Sequence, residues 1–253
     1  MTDTVSETPK KAPANIVEAL FQVGAHFGYS RSRRHASMRD FIFGSKGKTD
    51  ILDLTQTSAL MEETLATVRA FGSNGKTLLF VGGKPEVQDL VRESATSIEM
   101  PYVAGRWLGG TLTNFPEIKK RIQRLQSLND DKEAGVLERK YTKKERVLLG
   151  REIDRLEERI GGLAGMERVP DALVVVDTRA EEIAVHEAKN LGIPVVGIMN
   201  SDCDLDQVSH PLIGNDASRE SVGFFLNSVV SAYRDGMKGA PATPAKEAET
   251  PAS

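Results

Sequence analysis

The run ALVVV at Ala172–Val176 identifies the class of fold, because five consecutive apolar residues leave no polar face for solvent. Two further runs have the same character, TLLFV at 77–81 and PVVGIM at 194–199. Continuous rather than alternating apolar runs are typical of strands that are buried on both faces of a parallel sheet. Weaker strand candidates lie at 100–104 and 51–54. The chain is therefore predicted to contain a buried parallel sheet.

Helical patterns alternate with these strands. Apolar residues recur at helical spacing in four segments, 58–71, 85–96, 180–191 and 216–233. The second segment opens with Pro85, which is favoured in the first turn of a helix. This alternation predicts a three-layer α/β fold with right-handed crossovers, in which helices cover both faces of the sheet.

Residues 114–160 interrupt the alternation. They carry no strand signal, only two long helical patterns whose narrow apolar stripes are flanked by charged residues. The expected stripes are Ile118, Ile122, Leu125 and Leu128 in the first pattern and Val147, Leu149, Ile153, Leu156 and Ile160 in the second. Such stripes are typical of a coiled coil, so we expect an inserted antiparallel coiled-coil hairpin with arms of roughly 20–30 Å. The polar, Pro-rich ends of the chain predict disordered tails. The expected division is an α/β domain at 15–112 and 161–238, a hairpin at 113–160, and tails at 1–14 and 239–253.

The composition excludes several classes of protein. The 253 residues include one cysteine, Cys203, which excludes an internal disulfide framework and a cysteine-only metal cluster. No apolar run approaches the roughly 18 residues of a transmembrane helix, and the first residues lack the apolar core of a signal peptide. We therefore expect a cytoplasmic protein with no membrane partner.

Charge is distributed unevenly, although the net charge is only −3. Residues 31–48 hold six bases and one acid, and residues 119–159 hold thirteen bases and nine acids. Residues 160–253 hold seven bases and fourteen acids. Because polyanions respond to local patches rather than to net charge, the basic segments indicate contact with a phosphate backbone. An unevenly charged but merely solvated surface is the alternative.

The segment RSRRHASMRDFIFGSKGK at 31–48 carries the strongest functional signal, because its bases alternate with Phe41 and Phe43 and follow Tyr29. Guanidinium groups bind phosphates bidentately and stack on exposed bases, which favours RNA as the partner. The expected RNA contacts in this segment are Arg31, Arg33, Arg34, His35, Arg39, Lys46 and Lys48. Replacing Arg33 and Arg34 together by Glu is expected to weaken assembly with little loss of thermal stability.

Further RNA contacts are expected in and near the helical insertion. They are Arg106, Lys119, Lys120, Lys143 and Lys144. Trp107 follows the first of these, and we expect its indole to pack in the protein rather than on RNA, because it buries a large apolar area.

A nucleotide-binding enzyme is the second hypothesis. Gly82, Gly83 and Lys84 follow a strand and precede a helix, where a turn binds anions, and Asp177 and Asp202 end neighbouring strands. The G-x-G-x-x-G fingerprint is missing, however, and no catalytic group of residues is found. This hypothesis predicts saturable nucleotide binding.

A divalent metal site is not predicted. Asp202, Asp204 and Asp206 resemble the start of a calcium loop, but Gln207 and Ile213 stand where that loop needs Gly and Glu. Whether an ion binds near these carboxylates and His210 stays open at this point, and an Asx-rich turn is the simpler interpretation.

Short motifs in chain order add a family resemblance. They are GAHFG at 24–28, FIFG at 41–44, ILDL at 51–54, FVG at 80–82, RWLGGTLTN at 106–114, PDAL at 170–173 and LGIPV at 191–195. Together they closely resemble the uS2 family, bacterial small-subunit ribosomal protein two, from about residue 15 to residue 236. RWLGGTLTN is the most specific motif, whereas Tyr29 and RHASM at 34–38 depart from the usual family pattern.

The resemblance implies both an architecture and a role. The architecture is a flavodoxin-like α/β domain with an inserted coiled-coil hairpin. The role is that of a structural, non-enzymatic constituent of the small ribosomal subunit in the cytoplasm, without a cofactor. The implied partners are small-subunit ribosomal RNA and neighbouring ribosomal proteins, including ribosomal protein one, which it helps to recruit for translation. No homo-oligomer is expected.

Overall fold

The computed structural model describes residues 15–239. The tails predicted at 1–14 and 239–253 lie outside the described residues, except for Gly239 at the end of the last helix. Within the described residues the chain forms two sheets. In chain order their strands are β1 (Phe27–Ser30), β2 (Ile42–Lys46), β3 (Thr49–Leu52), β4 (Leu78–Val81), β5 (Tyr102–Val103), β6 (Ala172–Val176), β7 (Val195–Met199) and β8 (His210–Ile213).

The larger sheet is parallel, with the strand order β5-β4-β6-β7-β8. Counted along the chain within this sheet, the order is 2-1-3-4-5, which is the flavodoxin-like order. Every residue of β4, β6 and β7 is buried, as their continuous apolar runs predict. The α/β class and the parallel sheet are thereby confirmed.

Helices cover both faces of the large sheet. In chain order they are α1 (Ile16–Gln22), α2 (Leu54–Ser73), α3 (Gln88–Thr96), α4 (Phe115–Glu133), α5 (Val136–Lys140), α6 (Lys143–Ile160), α7 (Glu182–Asn190) and α8 (Arg219–Gly239). Phe80 and Val174 belong to a core with α1, α2, α3 and α8, whereas Leu79 and Val175 belong to a core with α4, α6 and α7. None of the helices within residues 15–239 is long and apolar enough to cross a membrane.

Helices α2 and α8 pack closely because glycines stand at their contact. A Cβ atom on Gly72 would lie 2.2 Å from the carbonyl oxygen of Tyr233, and one on Gly236 would lie 2.1 Å from that of Arg69. Both distances are far shorter than any contact that a real Cβ makes. Glycine is therefore required at both positions for the two backbones to approach each other.

The segment without strands forms α4, α5 and α6. Helix α4 buries the expected stripe, Ile118, Ile122, Leu125 and Leu128. Helix α6 contacts α4 and buries Ile153 and Ile160, and the Nε atom of Arg124 on α4 donates a hydrogen bond to Glu152 on α6 at 3.2 Å. Two features differ from expectation: Val147 is exposed rather than part of the stripe, and the short helix α5 was not predicted.

The basic segment is folded into the smaller sheet, which is antiparallel with the order β1-β3-β2. Its apolar side packs on the carboxyl ends of the large sheet's strands, where Met38 and Leu52 join Met199 and Ile213 in a third buried cluster. Gly47, with a φ of +64°, closes the turn between β2 and β3. This packing holds the basic side chains at one edge of the molecule.

Candidate nucleic-acid interface

The small sheet and its connections hold the seven expected RNA contacts of residues 31–48 in one region. Five of the seven side chains are exposed: Arg31, Arg33, Arg39, Lys46 and Lys48. The other two, Arg34 and His35, are half-buried. The region contains two short 3-10 turns, Arg31–Arg33 and Ala36–Phe41, in addition to its strands.

Arg34 is bound to a buried carboxylate. Its Nε atom donates to Oδ2 of Asp50 at 2.7 Å, and its Nη2 atom donates to Oδ1 of the same side chain. Ser45 donates a further hydrogen bond to Asp50 at 2.7 Å. The Arg34 hydrogen bond is the main reason why the pKa of Asp50 lies below its ordinary value. The charge of Arg34 is therefore neutralised within the small sheet.

Arg33 forms a different ion pair. Its Nη2 atom lies 2.7 Å from Oδ2 of Asp202, and the same oxygen accepts a hydrogen bond from Nη1 of Arg179 at 3.1 Å. The guanidinium of Arg33 also lies 4.3 Å from the centre of the Tyr29 ring. The Tyr29 ring is thus in contact with an arginine of the protein itself. Sequence reasoning missed Arg179, because it is 146 residues from Arg33 in the chain.

His35 is held by its neighbours. Its Nδ1 atom lies 2.8 Å from the hydroxyl of Ser37 and 3.7 Å from a carboxylate oxygen of Asp204. Its backbone N–H donates to the carbonyl oxygen of Ser201 at 2.8 Å. These contacts attach the turn before Ala36 to the loop after β7.

The motif RWLGGTLTN is organised by a carboxylate in helix α7. The indole Nε1 of Trp107 donates to Glu187 at 3.1 Å, and the backbone N–H groups of Gly110, Leu112 and Thr113 donate to the same carboxylate at 2.7, 3.0 and 3.1 Å. Burial by itself would raise the pKa of Glu187, but these hydrogen bonds lower it below the ordinary value. Trp107 packs in the protein as expected, and the neighbouring Arg106 is exposed.

The four lysines expected on the helical insertion are all exposed, but they do not lie together. Lys119 and Lys120 are near the start of α4, and Lys120 pairs with Glu117 at 2.6 Å. Lys143 and Lys144 begin α6, which contacts α4 through Arg124 and Glu152 and would run antiparallel to it in the hairpin proposed below. At about 1.5 Å per residue, the two lysine pairs are separated by about 20 Å along the helices.

The turn at Gly82, Gly83 and Lys84 is occupied by carboxylates of the chain itself. The backbone N–H of Gly83 donates to Glu181 at 3.0 Å, and Nζ of Lys84 lies 2.5 Å from Asp177 and 3.0 Å from Asp216. Burial would lower the pKa of Lys84, but Asp216 and Asp177 raise it well above the ordinary value. A phosphate at this turn would face three carboxylates, which argues against the nucleotide-binding hypothesis.

The carboxylates after β7 bind cations and backbone N–H groups of the protein itself. Asp202 binds two arginines, and Asp204 accepts a hydrogen bond from the backbone N–H of Asp206 at 3.1 Å. His210 lies in β8 with its ring edge-on to Phe71. Across residues 15–239, no three His, Cys, Asp or Glu side chains are grouped so that they would hold a metal ion.

Comparison with known proteins gives one consistent result. The family described as Ribosomal protein S2 matches residues 20–236. The chain is similar to the small ribosomal subunit protein uS2 of Micrococcus luteus, with 39% identity over 89% of this chain and 79% of the relative. It is also similar to the uS2 proteins of Acidothermus cellulolyticus (41% identity, 87% and 80% coverage) and Corynebacterium urealyticum (43% identity, 87% and 81% coverage).

Proposed function

The chain belongs to the ribosomal protein S2 family, and from this premise we propose that it binds small-subunit ribosomal RNA through its small antiparallel sheet. Family membership makes it a structural, non-enzymatic constituent of the small ribosomal subunit, located in the cytoplasm and engaged in translation. The RNA contacts and the individual protein partners are our proposal.

A set of unpaired cations carries the RNA-binding proposal. Among residues 15–239, the side chains of Arg31, Arg39, Lys46 and Lys48 have no carboxylate within salt-bridge distance, and all four are exposed. Exposed cations that form no salt bridge with the described residues are suited to displace the counterions of a phosphate backbone. The neutralised Arg34 is better suited to hold the sheet together.

An exposed aromatic ring belongs to the same segment of the chain as these cations. Phe43 in β2 is 80% exposed, although a phenyl ring on a protein surface gains little from contact with water. Unpaired bases of RNA stack on such rings. We therefore place a single-stranded or looped part of the RNA over β2, with phosphates near Arg39 and Lys46.

We further propose that residues 113–160 are an antiparallel coiled-coil hairpin inserted between 15–112 and 161–238. The apolar stripe of α4, the contact of α4 with α6 and the Arg124–Glu152 pair support this division. The lysine pairs near its two ends, Lys119 with Lys120 and Lys143 with Lys144, are proposed as separate phosphate contacts. Arg106 at its base is proposed as another.

A protein partner is proposed for a second aromatic surface. The rings of Phe21 and His26 stack with their centres 4.5 Å apart, and the tilted ring of Phe27 has its centre 4.0 Å from that of His26. Both phenylalanines are exposed. An exposed stack of this kind suits contact with apolar side chains of a neighbouring protein, and the family resemblance suggests ribosomal protein one.

The RNA proposal is tested by binding of the full chain to purified small-subunit ribosomal RNA over a range of salt concentrations. The double variant Arg39→Gln with Lys46→Gln is expected to weaken binding and to reduce the slope of log K against log salt by about 1.4–1.8. Arg168→Gln with Lys238→Gln is the control, because both side chains are more than two-thirds exposed and outside the small sheet. Equal slopes for both variants would contradict the proposed interface.

A further inference from the structure

We propose that Arg33 and Arg179 form a clamp for one phosphate of the RNA, with Asp202 as the residue that positions both guanidinium groups. This inference rests on the proposed RNA-binding function. It adds Arg179, a residue outside the basic segment, to the interface, and it gives Arg33 a role different from that of the neighbouring Arg34.

The geometry of the three side chains favours a role in binding phosphate over a role only in stabilising the fold. One oxygen of Asp202, Oδ2, accepts from Nη2 of Arg33 at 2.7 Å and from Nη1 of Arg179 at 3.1 Å. The Asp202 side chain is 2% exposed, whereas those of Arg33 and Arg179 are 50% and 52% exposed. A single buried negative charge therefore holds two half-exposed positive charges side by side. Each guanidinium has five N–H donors, so most of them remain free for a ligand.

Both arginines are held in place by further contacts. The Tyr29 ring lies under Arg33, and the Tyr29 hydroxyl accepts a hydrogen bond from Lys84 at 3.2 Å. On the other side, Asp177 accepts the backbone N–H of Arg179 at 3.1 Å. Asp177 itself has a φ of +61°, which turns the chain sharply at the end of β6. Because the two groups are already fixed, a ligand loses little conformational entropy on binding to them.

The surroundings of the clamp select the kind of anion. The clamp borders a cleft of about 380 Å³ that is also lined by Arg34, His35, His186, Glu182 and Asp204. Arg34 is neutralised by Asp50, and the clamp has one net positive charge after Asp202 is counted. Glu182 and Asp204 oppose any anion in the cleft, but they oppose a di- or triphosphate more strongly than a phosphodiester, because the repulsion grows with the charge of the anion. A phosphodiester of RNA carries a single negative charge, which matches the single surplus positive charge of the clamp.

The test uses the full chain and purified small-subunit ribosomal RNA. Arg179→Gln is expected to reduce the salt slope by about 0.7–0.9 and to weaken binding roughly fivefold to tenfold at about 0.1 M salt, since one phosphate contact is lost. Arg168→Gln is the matched control: Arg168 also pairs with an aspartate at 3.0 Å, but it precedes β6 at the opposite end of that strand. It is expected to bind like the unchanged protein.

The variant Arg179→Lys tests whether RNA binding needs only the positive charge of Arg179 or also the planar shape of its guanidinium group. Lysine keeps the positive charge but lacks the planar fork, so the salt slope should recover while the affinity stays below that of the unchanged protein. If the unchanged protein binds the RNA and Arg179→Gln keeps its slope and affinity, the clamp is wrong and the proposed function stands. If the unchanged protein does not bind the RNA, the proposed RNA-binding function is itself contradicted. Loss of a neighbouring ribosomal protein from subunits containing Arg179→Gln, with RNA binding intact, would also overturn the clamp.

Discussion

Arg33 and Arg34 are adjacent in the chain, but their guanidinium groups have different surroundings. Arg34 binds Asp50, whose side chain is fully buried, whereas the similarly buried Asp202 beside Arg33 has a second cation in Arg179. A buried carboxylate that loses its cation keeps an uncompensated charge in a poorly solvated place. Arg34 is therefore required for stability, and the expectation that both arginines can be replaced with little thermal cost is revised.

We predict that Arg34→Gln lowers the free energy of unfolding by about 2–4 kcal/mol at pH 7, and that Arg33→Gln lowers it by less than about 1 kcal/mol. The Arg34 effect should depend on pH. The folded-state pKa of Asp50 is depressed, so the stability that its ionised form contributes is present above about pH 4 and is lost as the pH falls through the folded-state pKa. Urea denaturation at pH 7 and pH 3 measures both effects, and equal losses for the two variants would contradict this assignment.

At the scale of elements, helices α2 and α8 depend on glycine at their contact. A methyl group at Gly236 would lie 2.1 Å from the backbone oxygen of Arg69, so the helices must separate to accommodate it. Gly150 in α6 is the matched control, because a Cβ atom there would meet nothing within 4 Å.

The two glycine-to-alanine changes are predicted to have opposite signs. Gly236→Ala should lower the free energy of unfolding by about 1–3 kcal/mol through overpacking, even though alanine favours the helix. Gly150→Ala should raise it by about 0.5–1 kcal/mol, because only the helix propensity changes. Chemical denaturation compares them directly, and stabilisation by Gly236→Ala would show that the close approach of the helices is not required.

The sequence allowed some elements to be predicted and hid others. Strands β4, β6 and β7 were predicted because burial on both faces leaves a continuous apolar run. Strand β8 was missed because it begins with His210 and Pro211, residues that suit the edge of a sheet but carry no strand signal. Strands β1 and β2 are short and mix glycine and polar residues with apolar ones, so their segment was interpreted only as a basic loop.

The contacts within the candidate site could not be predicted because the residues that form them are far apart in the sequence. The exposed bases of 31–48 were recognisable from composition. The partner of Arg33 lies 169 residues away at Asp202, and the carboxylate that organises RWLGGTLTN lies 80 residues after Trp107 at Glu187. Pairings of this kind depend on which strand ends meet at the edge of the sheet, so they follow from the topology rather than from local pattern.

At the scale of the whole molecule, the acidic character of residues 160–253 is partly internal. Twelve of its fourteen acids lie within the described residues, at 160–239, and five of these are buried: Asp177, Glu181, Glu187, Asp202 and Asp216. They bind cations or backbone N–H groups of other elements. The surface of this half is therefore less acidic than its composition suggests, and the RNA contact proposed at Arg179 would meet less repulsion than the charge count predicts.

At the same scale, the proposed RNA interface consists of two separate basic surfaces, the small sheet and the start of α6. We predict that Lys143→Gln with Lys144→Gln weakens rRNA binding and lowers the salt slope by about 1.4–1.8, as loss of two phosphate contacts requires. Combining this pair with Arg39→Gln and Lys46→Gln should give the sum of the two free-energy losses, because separate sites without shared partners are additive. The test is to measure the rRNA binding of each double variant and of the variant that combines all four changes. A combined loss well below the sum would mean that both surfaces compete for the same phosphates, and the two-surface arrangement would have to be abandoned.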